Sequence, residues 1–172
     1  MASTLLILTV ASAALFLVWR LLCASKAEIH SVRDWQEKKH EVDVQIFRVL
    51  VDPNEERYFR NSLSRTQFRR FQRRRIHLAL RMLERVEANT RMLIRLGQLA
   101  RTKGDPVLVR RADQLITAAI HLRFNLLLAR LSLSAKWLHP TCNLAIPVIE
   151  VRYQHLLNSL ANLQQAGEHK PA

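Results

Sequence analysis

Glycine and proline are scarce in this chain, with 3 and 5 copies among 172 residues. Because these residues make most tight turns and interrupt helices, their scarcity excludes a turn-rich β fold and favours long helices. The 2 cysteines, Cys23 and Cys142, lie far apart and match neither a disulfide framework nor a zinc-ligand pattern. Such sparse cysteine use fits a reducing cytoplasm.

Charged side chains are absent from residues 1–19, where most positions are apolar. After Arg20 the apolar run continues through Ala24. A membrane-spanning helix needs roughly 20 apolar residues, and this stretch is about that long. Trp19 and Arg20 suit the boundary between lipid and water. The sequence therefore predicts a single transmembrane anchor over residues 1–24.

A cleaved signal peptide is the alternative interpretation of the same stretch. It is disfavoured because no basic residue precedes Arg20, the apolar core exceeds the usual length of about 7–15 residues, and no small-x-small cleavage site follows. Basic residues lie on the C-terminal flank of the anchor, at Arg20, Lys26, Arg33, Lys38 and Lys39. The positive-inside rule then predicts an external N-terminus and a cytoplasmic C-terminal domain.

Acidic residues are too few to balance the basic ones, and the excess is concentrated in the middle of the chain. The net charge is +13. Residues 53–104 hold 14 basic and 4 acidic side chains, a net charge of +10, whereas residues 1–52 hold 6 of each. A basic region of this kind favours anionic lipid headgroups, nucleic acid or an acidic protein as a partner.

Residues 25–63 are predicted to form a juxtamembrane connector that is mostly helical. Apolar residues recur there at spacings of three, four and seven, at Ile29, Val32, Trp35, Val42, Ile46 and Val49, which predicts a helix running on from the anchor. The segment Val42–Val51 is also rich in β-branched residues, so a short strand is the alternative. Asp52 and Pro53 then signal the start of a short helix ending near Asn61.

Residues 64–165 are predicted to form a helical bundle domain. A capping box of Ser64 and Gln67 opens helix A, over about 65–102. Gly104 ends it, and Pro106 opens helix B, over 106–138. Helix C is predicted over about 144–164, and residues 166–172 as a flexible tail. The predicted fold class is all-α: an N-terminal transmembrane helix and an up-and-down antiparallel bundle of three long helices plus a connector helix.

Helix B is apolar on two sides. Its heptad-like, coiled-coil seam consists of Leu108, Ala112, Leu115, Ala119, Leu122, Leu126, Ala129 and Leu133. Its far side holds Ile120, Phe124, Leu127, Leu128 and Leu131. Spanning a membrane is disfavoured because Arg123 and Arg130 would each cost about 2.5–3.5 kcal/mol at depth. Helix B is therefore predicted as the central helix, with its far side covered by the bundle, by another protein or by a second copy.

Residue patterns for catalysis are missing. No two histidines have the i, i+4 spacing of a helical metal site, and the glycines Gly97, Gly104 and Gly167 form no phosphate-binding loop. The sequence therefore predicts a protein that is not an enzyme and that has no cofactor or metal.

The most unusual stretch runs from Arg65 to Arg75 and contains six arginines, with Phe68 and Phe71 between them. A solvated helix face would explain it, but few acidic residues lie nearby, and arginine binds phosphate with two parallel hydrogen bonds. The predicted anion-binding residues are Arg65, Arg69, Arg70, Arg73 and Arg74. Arg75 is left out because it lies nearer the apolar side.

These features predict a non-enzymatic, single-pass, membrane-anchored helical interaction or scaffold module. Its arginine-rich face would bind anionic lipid headgroups or an acidic protein partner, and its far side would allow a homo-oligomer. The alternative is a membrane-tethered nucleic-acid-binding protein, in which Phe68 and Phe71 would stack on bases. The spacing of these two phenylalanines places them on the apolar side of the helix instead.

Overall fold

The computed structural model describes residues 31–102, 104–138 and 147–168. Within these residues the chain is all-helical, which confirms the predicted class, and contains no strand. The helices are α1 (Val32–Lys38), α2 (Val44–Val51), α3 (Pro53–Ser62), α4 (Arg65–Arg101), α5 (Pro106–Leu138) and α6 (Ile149–Glu168). The predicted anchor over residues 1–24 lies outside the described residues and stays a prediction.

The predicted connector forms short helices rather than one continuous helix. Ser31 has an extended backbone, and its hydroxyl caps α1 by accepting a hydrogen bond from the Asp34 N–H. The Asp43 carboxylate caps α2 by accepting from two N–H groups of its first turn. The prediction of a helix running on from the anchor is therefore wrong, because a new helix begins after each cap. The strand alternative for Val42–Val51 is also wrong, since α2 covers most of that segment.

Local capping signals set the boundaries of α3 and α4. Asp52 accepts a hydrogen bond from the Asn54 N–H at 2.9 Å, and Pro53 occupies the first helical position of α3. At the start of α4 the Gln67 N–H donates to the Ser64 hydroxyl, while the Ser64 N–H donates to the Gln67 side chain. These are the caps predicted from the sequence, and α4 and α5 match the bounds predicted for helices A and B to within one residue.

The third long helix differs from its prediction at both ends. Helix C is predicted over 144–164, whereas α6 spans Ile149–Glu168. Pro147 and Val148, which the prediction places inside helix C, are not helical, and proline lacks the N–H that a helix interior requires. At the other end Leu160 and Leu163 are buried in the core and hold the last turns against the bundle. The helix continues through residues 166–168 of the predicted tail, and residues 169–172 lie outside the described residues, so the flexible tail stays a prediction.

The core lies between α4, α5 and α6, and α2 closes the fourth side by packing against α4 and α6. The predicted seam of α5 is buried at Ala112, Leu115, Ala119, Leu122, Leu126, Ala129 and Leu133. Gly97 allows α4 and α5 to approach closely, since a Cβ there would lie 2.8 Å from Cγ1 of Ile116. Gly104, with a φ of 76°, supplies the left-handed residue between the two helices. Trp35 and Phe47 extend the same core into α1 and α2.

Asn89 connects three segments at the centre of the bundle. Its side chain is fully buried, accepts a hydrogen bond from the His40 N–H at 2.8 Å and donates to the His40 carbonyl at 2.8 Å. It also donates to the Tyr153 hydroxyl at 3.0 Å. Burial raises the pKa of Tyr153, against the opposing effect of the Asn89 hydrogen bond, so the phenol stays protonated. These bonds hold the α1–α2 link and α6 against α4.

Apart from the half-buried Leu127, the outer side of α5 is largely exposed. The sequence left open whether the bundle, another protein or a second copy covers this side, and among the described residues the bundle does not. Ile120, Phe124, Leu128 and Leu131 are all exposed. Among the described helices, α5 alone is long and apolar enough to cross a membrane, by length and composition only, and 28% of its most apolar window is buried within the protein. One such helix is weak evidence for a span, because a core helix of a soluble protein can have the same length and composition.

Candidate anion-binding face

The predicted anion-binding residues occupy the first three turns of α4, beginning within the capping box of Ser64 and Gln67. All of them are exposed: Arg65, Arg69, Arg70, Arg73 and Arg74. At about 100° per residue, Arg65, Arg69 and Arg73 form one row along the helix, and Arg70 and Arg74 form a second row beside it. The fold thus brings these arginines together over about half of the helix circumference. We call this surface the arginine face.

Carboxylates do not neutralise the arginine face. Among the described residues, no ion pair joins any of its arginines to an acidic side chain. Three acidic residues that flank it in sequence, Glu56, Glu84 and Glu87, each pair with another basic side chain. The guanidinium groups of the face therefore remain available for planar, two-bonded contacts with phosphate or carboxylate groups.

Arg75 belongs to the interior rather than to the arginine face, in keeping with its exclusion on sequence grounds. It is buried, and its guanidinium donates a hydrogen bond to the Val49 carbonyl at 2.9 Å. The same group lies over the rings of Phe59 and Phe71. Burial lowers the pKa of Arg75, while nearby carboxylates, Glu56 first among them, act in the opposite direction. Arg75 thus fixes α4 against α2 and α3.

The two phenylalanines within the arginine stretch face the protein. Phe68 is buried, and Phe71 is half-buried with its ring centroid 4.5 Å from that of Phe59. Base stacking needs an exposed aromatic surface on which successive bases can lie. Neither ring offers one in this arrangement, which weakens the case for a nucleic-acid interface.

Trp137 borders the arginine face and was not identified from the sequence. The Arg73 guanidinium lies 5.7 Å from the centroid of the Trp137 ring. Arg123, Arg130 and Trp137 are spaced by seven along α5, which places them on one side of the helix. The side of α5 that holds these residues meets α4, because Arg130 pairs there with Glu84 and Glu87. The spacing of seven was therefore the sequence signal that could have identified Trp137 as a neighbour of α4.

No protein-family model matches the chain, and no curated protein or solved structure matches it significantly. In the part of the chain that the structure describes, no three His, Cys, Asp or Glu side chains come together as a group that could hold a metal ion.

Proposed function

We propose that the protein is a non-enzymatic, single-pass, membrane-anchored helical module whose arginine face binds anionic lipid headgroups. The observation that carries the proposal is the set of exposed arginines without carboxylate partners on the capped start of α4. Each basic residue near an anionic leaflet contributes about 1 kcal/mol of attraction. A chain tethered by residues 1–24 would keep the arginine face near a membrane surface.

Two other anionic partners compete with lipid for the same arginines. An acidic protein would use the same charges, but a tethered domain meets headgroups at a far higher local concentration. Nucleic acid is less well supported, because Phe68 is buried and Phe71 packs on Phe59. Lipid phosphate is therefore the partner we favour, with the other two as outcomes of the test.

The proposed topology places the N-terminus outside and the helical domain in the cytoplasm. It is supported by the charge-free residues 1–19 and the basic residues that follow them. Protease added to intact cells should leave the region after Lys26 intact, and permeabilised cells should lose it. Digestion of that region in intact cells would overturn the orientation, and a mature chain starting after Ala24 would indicate a cleaved signal peptide.

Removing four charges from the arginine face should release the domain from anionic membranes. The full chain, with both cysteines replaced by serine and a fluorophore on Thr66→Cys, is placed in nanodiscs containing about 30% phosphatidylserine. We expect the emission of the dye to differ from that in neutral nanodiscs, and to revert as salt rises from about 0.15 to 1 M. The fourfold variant should dock more weakly by up to about a thousandfold, because each lost arginine removes about 1 kcal/mol of attraction to the anionic lipid. It combines R69Q, R70Q, R73Q and R74Q.

A matched variant controls for net charge alone. R48Q, R101Q, R111Q and R152Q remove the same number of exposed arginines from the C-terminal end of α4 and from α2, α5 and α6, and should leave docking nearly unchanged. Equal loss in both variants, or no response to anionic lipid in the wild type, would contradict the proposal. The nucleic-acid alternative is tested by fluorescence anisotropy, with labelled duplex DNA or single-stranded RNA added to the full chain in neutral nanodiscs. Tight binding at physiological salt that the four glutamines of the first variant abolish would favour nucleic acid instead.

A further inference from the structure

The outer side of α5 presents large apolar side chains that no described residue covers. The exposed fractions are 54% for Ile120, 59% for Phe124, 47% for Leu131 and 67% for Leu138. Together with Leu128 they recur at spacings of four, four, three and seven, so they form one continuous line along the helix. We call these five residues the α5 stripe.

The α5 stripe adjoins the arginine face. Arg130 pairs with Glu87 of α4 at 2.7 Å, and Trp137 lies under Arg73, so these two positions mark the side of α5 that meets α4. Leu131 and Leu138 each follow one of these positions by one residue, a turn of about 100° toward solvent. The arginine face and the α5 stripe therefore lie along the same side of the α4–α5 pair and meet at Trp137.

The charge beside the α5 stripe distinguishes between its candidate occupants. Arg73 lies beside the stripe at its Leu138 end, over the ring of Trp137, and the chain as a whole carries a net charge of +13, so a second copy would bring like charges together. An anionic bilayer instead offers acyl chains to the stripe and phosphates to the arginines. Tryptophan is enriched at the boundary between these two regions of a membrane, which suits Trp137 at the junction.

We propose that the α5 stripe inserts into the surface of the anionic bilayer bound by the arginine face, with α5 lying along the membrane plane. This inference rests on the proposed function and adds a second, apolar contact to it. Arginine binding alone would leave the α5 stripe in water. Insertion would place it about 5–10 Å into the boundary between headgroups and acyl chains, the usual depth of an interfacial amphipathic helix.

Spin-label accessibility in the full chain measures this depth directly. A nitroxide is attached at Leu131→Cys, with both native cysteines replaced by serine, and one chain is placed in each phosphatidylserine-containing nanodisc. We expect the label to be several-fold more accessible to oxygen than to a water-soluble nickel chelate. A label at Phe124→Cys should behave in the same way, whereas one at the exposed Gln154→Cys of α6 should stay accessible to nickel.

The outcomes separate this inference from the proposed function. If the Thr66 fluorophore responds to anionic lipid while the label at position 131 stays accessible to nickel, the arginine face binds lipid and the α5 stripe does not insert. If neither responds, both proposals fail. Dipolar broadening between labels at position 131 when two chains share a disc, with nickel accessibility retained when one chain is present, would assign the stripe to a second copy and overturn the inference.

Discussion

Replacing Glu56 with leucine should lower the free energy of unfolding of the full chain by about 3–5 kcal/mol. The Lys136 ammonium lies 3.0 Å from the Glu56 carboxylate, and the two side chains are 5% and 14% exposed. Removing the carboxylate leaves the Lys136 ammonium buried without its counter-ion, and that desolvation is the main destabilising cost. Glu56 also pairs with Arg60 and lies near the buried Arg75, but the Arg60 side chain is 47% exposed, so the loss of that pair contributes little. Chemical denaturation followed by circular dichroism, in detergent at constant concentration, measures the change.

The double variant E56L with K136M tests this mechanism. Since it removes both charges and leaves apolar side chains, it should recover most of the lost stability. The exposed Arg33–Glu37 pair, with side chains 87% and 67% exposed, provides the control. Glu37→Leu should change the unfolding free energy by less than about 0.5 kcal/mol, because exposed ion pairs contribute little. Equal losses for E56L and E37L would show that burial of the Lys136 pair is not the cause.

Helix boundaries were predictable where the signal is local. Ser64 with Gln67, Asp52 with Pro53, and Gly104 before Pro106 each act within a few residues, so they can be recognised without knowing the fold. The break between α1 and α2 was missed although Asp43 is an ordinary N-cap residue. Its neighbours Val42 and Val44 continue the apolar pattern through the break, and that periodicity hides the cap.

Contacts between distant segments could not be predicted from the sequence. Lys136 and Glu56 are 80 residues apart, and nothing around either residue indicates its partner. The exposure of the arginine face was predictable, because helix periodicity alone separates Arg74 from the buried Arg75. The position of Trp137 beside this face was not predictable, since the contact between Arg73 and Trp137 depends on how α4 and α5 align. The open side of α5 was likewise undetermined, because an apolar surface has the same residue types whether it is covered or exposed.

The seam of α5 and its opposite side should respond very differently to truncation. Leu122 and Leu126 are 0% and 2% exposed, so L122A and L126A should each lower the unfolding free energy by about 2–5 kcal/mol through lost burial and the cavity left behind. Leu128 lies on the exposed side of α5. Its truncation, L128A, removes the same atoms and should lower the unfolding free energy by less than about 1 kcal/mol. Denaturation of the full chain in detergent compares all three variants with the wild type.

Bilayer binding provides the second half of this contrast. If the α5 stripe inserts into anionic membranes, L128A should weaken docking in phosphatidylserine nanodiscs although it barely affects unfolding in detergent. L122A should do the reverse at temperatures where it remains folded, because Leu122 lies inside the bundle. Harmless L122A and L126A would show that the seam of α5 is not the core of the bundle. A costly L128A in detergent would show instead that the outer side of α5 is covered in the folded protein, which would remove the surface proposed to contact lipid.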